Sequence, residues 1–171
     1  GTGLITTPGV ATTTGSTFVI AFLFEGVFGA VTDSAGNSYT QILSEQSSDA
    51  KMRVYYKENG TGSASHTISV NQALTTILFL EITGAAVASF DSGSAVQATD
   101  SASPYTVTSN TLAQANELVI ACMAGSSGSN PATIAESTGF TIIEKEEDGV
   151  ANYVGPLAYK IVSATTALTP S

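Results

Sequence analysis

The feature that most constrains this chain is its punctuation. Runs of strand length, rich in β-branched and aromatic residues, are cut at short intervals by clusters of Gly, Asn, Asp, Ser and Pro. The runs are STFVIAFLF (16–24), SYTQILSEQ (38–46), AKMRVYYKEN (50–59), HTISV (66–70), LTTILFLEIT (74–83), YTVTSNTL (105–112), NELVIACMA (116–124), FTIIEKEE (140–147) and GPLAYKIVS (155–163). Such runs read as strands and such clusters as turns. SVNQALTT has room for one helical turn, and nothing holds a 3.6-residue period for ten residues. The expected fold is all-β, a β-sandwich. With 171 residues the chain is read as one domain, 1–171.

Alternation assigns faces. In KMRVYYKEN, Met52, Val54 and Tyr56 fall on one side, and Lys51, Arg53, Tyr55 and Lys57 on the other, which predicts a half-buried strand with a charged outer face. FVIAFLF and TILFLEI do not alternate and are expected to be central in their sheets or covered on both sides.

The second half of the chain echoes the first. Val19-Ile20-Ala21 returns as Val119-Ile120-Ala121, 100 residues on. Asp33-Ser34-Ala35-Gly36 returns as Glu136-Ser137-Thr138-Gly139, and Tyr56-Lys57 as Tyr159-Lys160, both 103 residues on. Blocks in the same order at nearly constant offset predict an internal duplication with pseudo-twofold character, its halves spanning about 16–60 and 116–163. The repeated DSAGN turn has local chemistry of its own: Asp accepts from amides two and more residues ahead, and Gly supplies a positive φ. Asp33 and Asn37 are also the candidates for a calcium site, because hard cations take several oxygens, although the repeat replaces Asp33 by Glu136 and lacks the Asn. No metal or other cofactor is expected.

Composition narrows the function. Charged residues are 11% of the chain, against about 25% in an ordinary soluble domain, and the net charge is -9. The surface must therefore be built from Ser, Thr, Gly, Asn and Gln. A net negative chain without a basic patch excludes nucleic acid as an expected partner. No apolar run approaches the roughly 20 residues of a membrane-spanning helix. The lone Cys122, among apolar neighbours, is expected to be a small buried side chain. The opening GTGLITT, without Met, reads as a processed or trimmed start or a cloning remnant.

The quoted segments VTDSAGNSYTQI, MRVYYKENGTG, LTTILFLEITGA, NTLAQANELVIACMAG, STGFTII and LAYKIVSATTA together resemble a family of jelly-roll or concanavalin-like β-sandwich modules. Such modules are found in secreted bacterial proteins and among phage structural proteins, as decoration or tail components. The resemblance covers nearly the whole chain. It implies surface display, adhesion or decoration without catalytic residues. The family closes with a further strand after YKIVSATTA, where this chain has LTPS. That strand is expected to be trimmed away or to lie outside the repeat, ahead of completion of the sheet edge by a neighbour.

Catalytic constellations are sparse. His66 is the only histidine, it lies near Ser63 and Ser65 at the start of a run, and no nucleophile elbow occurs, so it reads as a solvated strand-end residue. One His with one Cys does not make a zinc site. A glycosidase needs only two facing carboxylates, and Glu25, Glu81, Glu117, Glu136 and the run 144–148 (EKEED) are the candidates. Glu81, interrupting an apolar strand, is the most notable, and alternation favours a solvent-facing place for it. Sugar binding would use Tyr39, Tyr55, Tyr105 or Tyr153, with Tyr55 on the outer face the leading candidate. Asn59-Gly60-Thr61 is a glycosylation sequon in a turn.

The expected function is a non-enzymatic structural or adhesive module, on a virion surface as a capsid decoration or tail component, or extracellular in a secreted protein. Its expected partners are protein subunits of the same assembly, a homo-oligomer among the options. A carbohydrate-binding module with a glycan partner comes second, and a carboxylate-dependent glycosidase third.

Overall fold

The structure, a computed structural model, describes residues 3–24, 26–46, 51–72, 75–99, 106–126, 139–148 and 153–170. These contain eleven strands and no helix: β1 (Leu4–Thr6), β2 (Thr17–Phe24), β3 (Val31–Asp33), β4 (Thr40–Gln46), β5 (Lys51–Lys57), β6 (Ile68–Asn71), β7 (Thr75–Ile82), β8 (Leu118–Cys122), β9 (Gly125–Ser126), β10 (Thr141–Asp148) and β11 (Tyr153–Ile161). They form three sheets, ordered β1-β6-β3, β4-β5-β2-β7 and β10-β11-β8, with β9 also paired to β11. The protein is all-β and its registered pairings are antiparallel. The chain divides into two compact units, residues 1–42 with 53–89, and residues 43–52 with 90–171.

In the first unit, β2 dictates the packing. All eight of its residues are buried. It lies between β5 and β7, so its backbone is paired on both edges and its unalternating TFVIAFLF can only be a strand covered on both faces. Ile20, Phe22 and Phe24 point one way, onto Ile68 and Val70 of β6, and Ile5, Phe28, Val31, Tyr39, Tyr55, Ile77 and Phe79 close around this core. Two sheets thus meet face to face within the unit. β7 departs from expectation: it is as apolar as β2, yet it is an edge strand, paired to β2 from Thr17↔Ile82 to Phe24↔Thr75. Its alternation survives in weak form, with Leu78 buried opposite Ala21 and the flanking Ile77 and Phe79 half-buried.

The charged outer face predicted for β5 is not solvent-facing. Met52 and Val54 are buried as expected, but Lys51, Arg53, Tyr55 and Lys57 are half-buried as well. The Arg53 guanidinium lies over the rings of Phe28 and Phe24, at 4.9 and 5.6 Å from their centroids, and Tyr55 packs on Phe22 and Phe28. A long side chain with an aromatic bed can turn an apparently polar face inward, because its stem is apolar and its cation is attracted to the ring faces.

In the second unit, β11 is the spine, paired to β10 on one side and to β8 and β9 on the other. Leu157 and Ala158 of β11 are buried with Leu112, Phe140 and Val162. β10 carries a bulge between Ile142 and Glu144. The predicted strand 105–112 does not form over its described residues, 106–112. Instead Ser109 N donates to Leu168 O at 2.8 Å, and the Ser109 hydroxyl accepts from Leu168 N at 3.0 Å. A side-chain hydroxyl has taken one position of the ladder, and regular pairing stops there. Gln97 does the same to the edge residue Ser44, accepting from its N–H at 2.8 Å and donating to its carbonyl at 2.9 Å.

Candidate functional site

The DSAGN turn follows β3 directly. Gly36 takes φ +75°, a conformation open to glycine, and this folds the chain back so that Ala35 N and Asn37 N both donate to Asp33 Oδ1, at 3.1 and 2.8 Å. The other carboxylate oxygen is busier. Oδ2 accepts from Asn37 Nδ2 at 2.7 Å, from the Tyr39 hydroxyl at 2.8 Å and from His66 Nε2 at 2.7 Å. Asn37 in turn bridges to the 59–61 turn, accepting from Thr61 N at 2.8 Å and donating to Thr61 O at 3.0 Å.

His66 is the correction that matters most. It is not a solvated strand-end residue: its side chain and that of Asp33 are both 0% exposed. Its ring stands edge-on to Phe18 and Phe79, at centroid distances of 5.0 and 5.2 Å. Its far nitrogen, Nδ1, lies 2.8 Å from the Thr12 hydroxyl, and Thr12 Oγ1 accepts from Ser63 N at 3.1 Å. Nε2–H donates to the Asp33 carboxylate, while the Thr12 hydroxyl and Nδ1 share the second bond, its direction set by the tautomer. Backbone bonds fix the ring's position, since His66 and Val10 exchange both of theirs, at 2.7 and 3.0 Å. The signal for this burial was present in the alternation of HTISV, which puts His66 on the same face as Ile68 and Val70.

Thr12, His66 and Asp33 therefore form a hydroxyl, imidazole and carboxylate in line. In a hydrolase such a line would present the hydroxyl to substrate. Here the Thr12 oxygen is engaged on both sides by Ser63 N–H and His66, and the imidazole lies under two phenylalanine rings. What the arrangement does is tie the N-terminal segment, the 33–37 turn and the segment before β6 to one buried charge. The Asp33 carboxyl feels burial, which raises its pKa, but its donors Asn37, Tyr39 and His66 outweigh that and hold it below the ordinary value. Tyr39 is pushed up, by burial first and then by the Asp33 charge that its hydroxyl faces.

The other candidates lie apart from this network or beside it. Glu81 is not directed into solvent alone: its Oε1 accepts from Thr13 N and Ser16 Oγ, both at 2.7 Å, closing the 12–16 turn. Burial raises its pKa, and these two donors bring it down to a net lowering. Glu117 accepts from Gln114 N at 3.0 Å. The Tyr55 hydroxyl donates to Gln41 Oε1 at 3.0 Å. Cys122 is half-buried, and desolvation raises its thiol to about 12. Asn59 sits at φ +48° in its predicted turn. Glu25, Tyr105 and Glu136 lie outside the described residues, as do the side chains of Tyr153 and of 146–148. Among the described residues no group of three or more His, Cys, Asp or Glu side chains converges as a metal site. Asp33, one of the two residues considered for calcium, has its two oxygens taken by five donors, and Asn37 turns its amide nitrogen toward it.

No family model matches the chain, and no curated protein or solved structure is found to be similar to it.

Proposed function

We propose that this chain is a non-enzymatic structural or adhesive surface module, a decoration or tail component on a virion or a component of a secreted protein, acting through contacts with neighbouring protein subunits. The observation that carries the reading is the outer face of the three-stranded sheet. Register places Thr6 opposite Ser69 and Ser69 opposite Thr32, a row of hydroxyls across all three strands, with Thr6 and Ser69 joined at 2.8 Å. Beside it, Leu4 of the edge strand is 70% exposed and faces Asn71 across the ladder. A neutral face of hydroxyls with an apolar rim and no charges resembles the depleted-charge composition of protein interfaces more than an ordinary solvated sheet.

The jelly-roll resemblance and the internal duplication belong to the same proposal. Both four-stranded sheets support it: β4-β5-β2 and β10-β11-β8 repeat one order, with Val19-Ile20-Ala21 on β2 and Val119-Ile120-Ala121 on β8, and Tyr56-Lys57 on β5 with Tyr159-Lys160 on β11. The turn 136–138 of the second copy is outside the described residues. An experimental structure in which 16–60 and 116–163 differ in topology would remove the duplication. Sugar binding at Tyr55 has less support, because its ring is already engaged by Phe22 and Phe28.

Light scattering across a concentration series tests the assembly reading, with calcium and with a chelator. A defined oligomer indifferent to both supports it. A monomer at every concentration would remove self-assembly.

A further inference from the structure

Deepening that reading, we propose that Arg53 is the anchor of a binding site for a carboxylate side chain of an extended segment of a partner protein.

The argument starts from a cation without an anion. The chain has 14 acidic residues and 5 basic ones, so a basic side chain would be expected to find a carboxylate readily. Arg53 is half-buried and has no ion pair among the described residues. Its Nε is buried with no hydrogen-bond partner there. Its company among the described residues is aromatic: the guanidinium lies 4.9 Å from the Phe28 centroid and 5.6 Å from that of Phe24. Ring faces attract the cation but accept none of its five directed N–H donors, and a guanidinium fork matches a carboxylate in two parallel bonds. The side chain is thus held in place with no carboxylate on its fork among the described residues.

The neighbours sharpen the chemistry. Tyr55, two residues along on the same face of β5, is stacked on Phe28 at 16° and 6.1 Å. Its hydroxyl donates to Gln41 Oε1, which leaves the exposed Gln41 amide N–H₂ as the outward group. Lys57 lies two residues further on that face. The Arg53 guanidinium offers donors and no acceptor, so its complement is an anion.

A peptide fits better than a sugar for two reasons. The aromatic faces that a sugar ring would need are taken by Arg53 and by the Phe28–Tyr55 stack. Gln41 lies on β4, which among the described residues stands at the edge of its sheet, and although Gln97 meets that edge at Ser44, an extended segment can lie beside its 40–42 end with alternate side chains on the face of Tyr55 and Arg53. Arg and Tyr placed together on a strand are also the residue types that carry most of the energy in protein interfaces.

The test is titration of the full chain with an oligoglutamate peptide, an oligoglutamine peptide and an oligoglucuronate, followed by calorimetry at about 0.15 M salt, where the long-range repulsion from a net charge of -9 is screened. Oligoglutamate should bind and oligoglutamine should not. Arg53→Met, which keeps an apolar stem over Phe24 and Phe28, should weaken binding about tenfold or more while its thermal unfolding midpoint stays near that of the parent. Arg53→Lys should fall between the two, since it keeps the charge and loses the fork. Silence toward oligoglutamate, or equal binding by Arg53→Met, overturns the site. Binding of oligoglucuronate alone overturns the peptide assignment and makes the ligand a glycan. An oligomer that ignores oligoglutamate would leave the surface-module reading intact, and a strict monomer that binds it would leave this site intact.

Discussion

His66 Nε2 lies 2.7 Å from Asp33 Oδ2, with both side chains withdrawn from solvent, and the two residues are 33 positions apart in the chain. That contact organises the first unit around the buried Asp33 carboxylate. Asp33 serves five donors and His66 two partners, so every polar atom of the pair is matched, the condition under which a buried network is favourable.

Asp33→Asn should be strongly destabilising. An amide in place of the carboxylate presents N–H₂ to a site that now accepts from His66, Tyr39 and Asn37, and removing one partner of a buried charged network typically costs about 3 kcal/mol or more. Urea unfolding of the variant should show a lower midpoint with an unchanged slope.

Acid should act through the same group. The folded pKa of Asp33 lies below its ordinary value of 3.8, so the unfolded state takes up the proton first as pH falls. Its contribution is fully present above the unfolded value and is lost as pH drops through 3.8 toward the folded one. Glu81, lowered from 4.5, acts in the same direction. Urea midpoints measured between about pH 6 and pH 2 should fall on the acid side, and Asp33→Asn should flatten that fall.

Gly60→Ala should destabilise the protein by about 1–3 kcal/mol, the usual cost of overpacking. A Cβ at Gly60 would run into the ring of Phe18, which is fully buried against His66 and Phe79. Gly60 also donates to Ser16 O and accepts from Gly15 N, both at 2.9 Å, so its backbone has little room to retreat. Thermal unfolding against Thr61→Ala as a neighbouring control checks this.

Cys122 should react slowly. With desolvation raising its thiol above the ordinary value, the reactive thiolate is scarcer near neutral pH than in the unfolded chain. Labelling with a disulfide reagent should be slower without urea than with it. Comparable rates would mean that the thiol is solvated in the native state.

How far the sequence reaches is clearest at three places. The all-β class and most strand positions follow from local chemistry, since β-branched runs and Gly, Asn and Ser turns act within a few residues. The DSAGN turn was legible for the same reason: the Asp33 bonds to Ala35 and Asn37 are local. β5 was misjudged, because the alternation of KMRVYYK marks which residues share a face and says nothing of which face is covered. Phe28, which lies far from Arg53 in sequence, decided that. The role of His66 was half legible: its alternation with Ile68 and Val70 pointed inward, but its partners Asp33, Thr12, Phe18 and Phe79 come from four other segments.

The sequence by itself therefore determined the strands, the turns and the low-charge surface, each the outcome of interactions between neighbours along the chain. Only the tertiary structure decided that β7 stands at an edge, that His66 and Asp33 are sealed together, and that Arg53 lies on aromatic rings. Those depend on side chains from distant segments meeting in space, where the burial of one charge or ring is set by what happens to cover it.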